Sequence, residues 1–217
     1  LKNVIVVGAN DLGIEVSKEL IALGYEVTIV DQSNELCSKA YKILKSSASI
    51  YRGDPTNPDV LTEVGIDKAE VLLALLDSDD DNYKVCSIGR ERGVPIIMAK
   101  VSSRDKEDLF KELNVKVINT SAVLATQIVN AVTQSFKFYE DPDNNIKFAI
   151  INVPSESPLL GKRISEVVSD YDVAIPYVIT GGKPTKVSED TVIEGGAVLV
   201  VVGEPERVDA LIRSIIG

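Results

Sequence analysis

Apolar positions along the first 137 residues alternate between two rhythms. Short apolar runs at Val4–Val7, Val27–Val30, Ala48–Tyr51, Val71–Leu76, Pro95–Val101 and Val115–Ile118 predict six strands. Between them lie stretches with helical spacing. Leu12, Val16, Leu20 and Leu23 form one stripe, stopped by Gly24, and residues 34–47 form another. Asn57-Pro58 supplies a cap and a first-turn proline for a third helix, which Gly65 closes. Residues 80–92 and 104–113 complete the set. Val71–Leu76 is apolar on both faces, as a central strand of a parallel sheet must be. Regular strand-helix alternation predicts an α/β fold, a Rossmann-like doubly wound parallel sheet. Its ligands bind beyond the carboxyl ends of the strands.

A longer helix is expected over about 120–136. Val123, Leu124, Ile128, Val129, Val132 and Phe136 give it an apolar stripe too wide for a solvent-facing end helix, so it should pack on another element or another subunit. The acidic stretch YEDPDNN, residues 139–145, breaks the pattern. Beyond it FAIINVP, VAIPYVI, TKVSEDTVI and AVLVVVG read as strands, with short helices near 160–169 and 205–215. This is a C-terminal small α+β module. The expected domains are residues 1–137 and 138–217.

The first strand runs into GANDLG. Gly8 permits the tight turn and Gly13 lets the helix approach the sheet, while the helix N-terminus offers N–H groups to a phosphate. Asn10 stands where a second glycine is usual, and is expected to tolerate the left-handed backbone that the turn demands. Asp11 would repel phosphates if it faced them. Asp31, ending the second strand, is placed to accept from a ribose 2′-hydroxyl, which favours NAD over NADP. The candidate nucleotide contacts are Gly8, Ala9, Asn10, Asp11, Leu12, Gly13, Asp31, Gln32, Gly53, Asp54, Leu75 and Lys100. Asp54 can either contact adenine or ribose or cap a turn. Lys100 can reach phosphates, neutralise Asp11, or stand in solvent. In DSDDDN, residues 77–82, Asp77, Asp79 and Asp81 start like a calcium loop. Asn82 replaces its glycine and Ile88 its closing glutamate, so the acids read better as first-turn residues of the next helix. A divalent cation stays open as a second ligand.

Composition narrows the chemistry. The chain carries 23 basic and 33 acidic residues for a net charge of −10, which argues against nucleic acid or an anionic membrane surface as a general partner. It has no histidine, which removes the commonest general base and most zinc chemistry. Its two cysteines, Cys37 and Cys86, have no metal-ligand spacing and fit a reducing compartment. No apolar run nears the roughly 20 residues of a membrane span, and no signal peptide is recognisable.

Together, VIVVGANDLG, VTIVDQS, YRGDPTNPDVLTEVGIDKAEVLLAL, DDDN, IIMAKV and LNVKVINT resemble the RCK family, the cytosolic regulators of potassium conductance and transport, which includes TrkA and KtrA subunits. SPLLGKRISEV and the segment from VAIPYVI to ERVDAL are similar to the family's C-terminal regulatory module. The resemblance implies a non-enzymatic gating-ring subunit beneath a potassium channel or transporter, at the inner face of the cell membrane. It also implies a homodimer paired through the 120–136 helix, assembly into an octameric ring, and NAD(H) or ATP, ADP or AMP as effector. Departures from the family pattern are Asn10, Asp11, Thr120-Ser121, the lack of acids at Leu75, Lys100 and Ser102, and the lack of an arginine around Thr180-Gly181. Two other readings stand beside it: an NAD-dependent oxidoreductase, and an assembly scaffold whose loop holds no nucleotide.

Overall fold

A computed structural model describes residues 2–132, 136–141 and 143–216. The chain divides into two compact units, Leu1–Val123 and Leu124–Gly217.

The first unit holds β1 (Asn3–Val7), α1 (Asp11–Ala22), β2 (Glu26–Asp31), α2 (Asn34–Leu44), β3 (Ser49–Arg52), α3 (Pro58–Glu63), β4 (Val71–Ala74), α4 (Asp79–Glu91), β5 (Ile96–Val101), α5 (Glu107–Glu112) and β6 (Lys116–Asn119). All six strands are parallel, in the order β3-β2-β1-β4-β5-β6. The order reverses at β1, so the crevice beyond β1 and β4 is the topological switch point. Side chains alternate across a strand, and β1 feeds both faces of the sheet. Val4 and Val6 join one core cluster with Ile14 and Ile29, and Ile5 and Val7 join the other with Leu61 and Leu72. Burying each such side chain contributes about 1.5–3 kcal/mol, which is why the strand is an unbroken apolar run.

The second unit is a five-stranded antiparallel sheet ordered β10-β9-β11-β8-β7. Its elements are β7 (Phe136–Asp141), β8 (Ile146–Asn152), α7 (Ile164–Tyr171), β9 (Ala174–Thr180), β10 (Lys183–Lys186), β11 (Val198–Gly203) and α8 (Pro205–Ile216). Ile151, Leu199 and Val201 pack with Val167 of α7 and Leu211 and Ile215 of α8. Lys147 of β8 is buried yet ion-paired to Glu140 at 2.7 Å and Asp209 at 2.6 Å.

Two expectations need correction. The helix expected over 120–136 is α6, Thr120–Val132, while Phe136 begins β7; residues 133–135 lie outside the described residues. Phe136 and Phe138 sit opposite Ile151 and Ala149, so long-range pairing overrides a local spacing that suits a helix equally well. The segment TKVSEDTVI is not one strand: β10 stops at Lys186, and Val192 makes only an isolated bridge to Arg163. Pro142, in the expected break, lies outside the described residues.

Candidate functional site

The site is built where β1 turns into α1. Gly8 adopts φ +114, and a Cβ there would meet the Leu75 backbone at 3.0 Å. Its N–H donates to Val30 O at 2.9 Å. Gly13 is tighter still, since a Cβ would fall 1.9 Å from Gly8 O. Gly8 is therefore required by the turn and by close approach, and Gly13, inside α1, by close approach alone.

Asn10 does not take the left-handed backbone expected of it. It is the extended N-cap of α1, at φ −68 and ψ 177, and its Oδ1 accepts from Gly13 N–H at 3.0 Å. Its Nδ2 donates to Leu75 O at 2.9 Å and Asp77 Oδ1 at 3.3 Å. Asparagine here caps the helix and ties α1 to the end of β4. The N–H groups of Asp11 and Leu12 take no hydrogen-bond partner among the described residues. These are the donors a helix N-terminus presents to an anion.

The carboxylate of Asp11 turns outward and pairs with Lys39 of α2. Lys39, and not Lys100, is therefore the partner that neutralises Asp11. The Lys100 side chain is 12% exposed and its Nζ lies 2.9 Å from Asp77 Oδ1.

Asp31 is 4% exposed. Its Oδ2 accepts from Ala9 N–H at 2.7 Å and its Oδ1 from Ser33 N–H at 2.8 Å. The carboxylate thus holds the β1–α1 loop against the start of α2, and each oxygen keeps a lone pair for a further donor. Cys37 lies alongside, its Sγ 3.4 Å from Asp31 O. Burial, aided by the Asp31 charge, pushes its thiol up from the ordinary value. Gly53 donates to Asp31 O at 3.0 Å, and a Cβ there would sit 2.7 Å from Val60. Asp54 takes the turn-capping role, accepting from Thr56 N–H and Oγ1 at 2.9 and 2.8 Å.

The acids of DSDDDN all have protein partners. Asp79 accepts from Ser102 and Ser103 N–H, each at 3.0 Å, Asp80 pairs with Lys106 at 2.7 Å, and Asp81 with Lys84 at 2.9 Å. The hydrogen bond from Lys84 holds the Asp81 carboxyl below its usual value, against a smaller opposing push from burial. Among the described residues no group of three or more acids, cysteines or histidines is arranged to hold a metal ion. Asn82, which the sequence shows as a missing calcium-loop glycine and as part of the DDDN segment, is fully buried. It accepts from Leu76 N–H and donates to Leu76 O and Lys100 O, all at 2.9 Å, clamping the end of β4 to the end of β5.

These loops surround a cavity of about 400 Å³ beyond the carboxyl ends of β1 to β4. One side is formed by Asp31, Gln32, Ser33 and Leu36, a second by Asp54, Pro55 and Thr56, and a third by Leu76, Asp77, Ser78 and Asp81, with Asn10 between them. Of the twelve expected contacts, Asn10, Asp31, Gln32 and Asp54 line the cavity. Gly8, Ala9, Gly13, Gly53 and Leu75 shape the backbone around it, Asp11 and Leu12 follow its lining residue Asn10 in the first turn of α1, and Lys100 reaches it only through Asp77.

Residues 4–121 match the TrkA-N domain and residues 148–216 the TrkA-C domain. A Trk system potassium uptake protein TrkA homolog of Methanothermobacter thermautotrophicus is 25% identical over 217 residues, covering 99% of each chain. The TrkA protein of Haemophilus influenzae is 21% identical over 221 residues, 96% of this chain and 48% of its own length, so this chain spans about half of that relative. Among solved structures, the GsuK channel bound to NAD superposes with a TM-score of 0.69 at 20% identity, over 100% of this chain and 39% of that one. The Shewanella denitrificans Kef C-terminal domain in its AMP-bound form gives 0.53 at 20% identity, over 60% of this chain and 79% of its own. At these identities the structural likeness is one of fold. Among the described residues, no helix is long and apolar enough to cross a membrane.

Proposed function

The chain belongs to the TrkA-N domain family, with a TrkA-C domain behind it, and on that premise we propose that it is a cytosolic regulatory subunit controlling potassium flux in response to an adenine nucleotide. The observation that carries the nucleotide reading is the cavity at the switch point, lined by the Asp31 carboxylate and by Asn10, the N-cap of α1, whose first two N–H groups have no partner among the described residues. A phosphate fits the N–H groups, and ribose hydroxyls fit Asp31. Relatives of this fold carry NAD and AMP, which share the adenosine 5′-phosphate.

Regulation requires the ligand to favour one arrangement of the protein over another. Four loops meet at the cavity, so a ligand spanning them biases their spacing. One route leads outward. Asp77, Ser78 and Asp81 line the cavity, and the adjoining Asp79 holds Ser102 and Ser103. Ser102 O in turn accepts from Ser121 Oγ at 3.2 Å, in the first turn of α6. α6 exposes Val123, Leu124, Ile128, Val129 and Val132, with Leu124 60% and Ile128 62% exposed. We assign this face to pairing with a second copy, and place the dimer in a ring beneath the membrane subunit of a potassium channel or transporter. Leaving such a stripe in water forfeits several kcal/mol of burial.

The test is potassium uptake by membrane vesicles containing the cognate membrane subunit and this chain, with and without NAD. The native chain should change the uptake rate on adding NAD. The Asp79→Asn chain should bind NAD but respond weakly. Uptake indifferent to the chain and to NAD would overturn the proposal.

A further inference from the structure

The edge of the parallel sheet opposite β6 carries a charge opposite to that of the chain. The chain has a net charge of −10, yet residues 34–53 hold Lys39, Lys42, Lys45 and Arg52 against a single acid, Glu35. Lys39 is taken up by Asp11, whereas Lys42, Lys45 and Arg52 form no ion pair among the described residues. This segment is α2 and β3, and β3 is an edge strand paired only with β2. Gly53 N–H donates to Asp31 O, and Asp31 sits opposite Arg52. In a parallel ladder alternate residues turn their backbone groups to the same neighbour, so Ile50 and Arg52 turn their N–H and C=O groups away from β2. No strand among the described residues pairs with that side. Beside it a groove of about 380 Å³ opens between α2 and β3, lined by Cys37, Ser38, Tyr41, Lys42, Ile50 and Arg52. Cys37, Tyr41 and Ile50 give it an apolar wall, with Tyr41 65% exposed, and Lys42 and Arg52 bring two positive charges.

Free backbone groups give an added strand its affinity, and a pocket for its side chains gives specificity. We propose that the β3 edge docks an acidic, extended segment of a partner protein. The segment pairs with Ile50 and Arg52 as an added strand, seats an apolar side chain against Tyr41 and Ile50, and places carboxylates beside Lys42 and Arg52. A charge on an edge strand can serve merely to block pairing. Guarding does not require Lys42, which comes from α2, to frame an apolar groove. Charge also decides the occupant. A second copy meeting this one edge to edge brings the same lysines and arginine, so the symmetric pair repels. An anionic membrane needs no open strand edge, and the rest of this acidic chain repels it. Side chains of an extended segment alternate, so the recognised pattern is acid, any residue, apolar, any residue, acid.

The test is fluorescence anisotropy of labelled, end-blocked peptides ETVTE and KTVTK with the intact chain. ETVTE should bind saturably and KTVTK should not. In hydrogen exchange read by NMR, ETVTE should slow the outward amides of Ile50 and Arg52 and leave Tyr51 unchanged. Charge reversal, Lys42→Glu with Arg52→Glu, should weaken ETVTE about tenfold or more and admit KTVTK. Both side chains are exposed, so this variant should fold. Ile50→Pro removes an N–H that β2 does not use and should abolish binding with the circular dichroism spectrum unchanged. ETVTE binding that survives charge reversal, or that leaves Ile50 and Arg52 unprotected, overturns the proposal. So does an absence of binding up to about 1 mM peptide. Self-association lost on charge reversal would overturn it in favour of a second copy, and binding to phosphatidylserine vesicles without binding to ETVTE in favour of a membrane.

Discussion

Replacing Asn82 with alanine probes how the cavity wall is held. The side chain is fully buried and makes three hydrogen bonds of 2.9 Å, to Leu76 N–H, Leu76 O and Lys100 O. These bridge β4 to β5 just where the chain leaves the sheet, at backbone that regular pairing no longer serves. A typical net hydrogen bond contributes about 0.5–1.5 kcal/mol, and a buried group left unpaired costs about 1–3 kcal/mol. The three partners are part-buried, so water recovers some of the loss. The expected destabilisation is about 2–4 kcal/mol, a large share of a domain's usual 5–15 kcal/mol. Guanidinium unfolding followed by circular dichroism should show the first transition moving to lower denaturant with an unchanged slope. Asn82→Asp should be as damaging, because a carboxylate accepts from Leu76 N–H but faces two carbonyl oxygens. Weaker NAD binding should accompany both, since Leu76 and Asp77 line the cavity. A loss below about 0.5 kcal/mol in both variants would refute the clamp.

Other expectations follow from the same geometry. Gly13→Ala should cost about 1–3 kcal/mol or more and abolish nucleotide binding, because its Cβ cannot sit 1.9 Å from Gly8 O; thermal unfolding and titration check it. Leu124→Glu combined with Ile128→Glu should leave the fold intact, since both residues are largely exposed, and convert dimers to monomers in sedimentation velocity. Lys147 is pulled down by burial, but hydrogen bonds to Asp209 and Glu140 outweigh this and raise its pKa overall. The pair therefore contributes full stability below the ordinary lysine value near 10.5 and loses it as pH rises through the higher folded value. Lys147→Met should lower stability at pH 7, since it leaves Glu140 and Asp209 facing each other without their shared cation, and should remove this alkaline loss in unfolding curves measured above pH 10.

What the sequence reveals, and what it hides, divides along physical lines. Val4–Val7 and Val71–Ala74 are legible because a two-sided parallel strand has no choice but to be apolar throughout. Gly8 and Gly13 are legible because close backbone approach excludes every other residue. The partners of polar side chains are not legible. Lys39 on α2, and not Lys100, meets Asp11, and that pairing depends on how two helices lie against the sheet. Asn10 in sequence suggests only a residue tolerant of a left-handed turn, yet its side chain supplies the cap and the tie to Leu75. Asn82 follows three acids at a helix start and looks like part of them; only its burial reveals the clamp. β7 was hidden because Phe136 extends the apolar stripe of α6 in sequence, and its pairing with Ile151 is a long-range fact.

The most direct measurement is calorimetric titration of the intact chain with NAD+, beside Asp31→Asn shown by circular dichroism to be folded. Asparagine there can keep one backbone bond but loses the charged acceptor for ribose hydroxyls. The native chain should bind saturably, one to one, with affinity weakened about tenfold or more in the variant. No saturable binding, or equal affinity in the two proteins, would contradict the nucleotide reading and leave the loop as a self-capped turn.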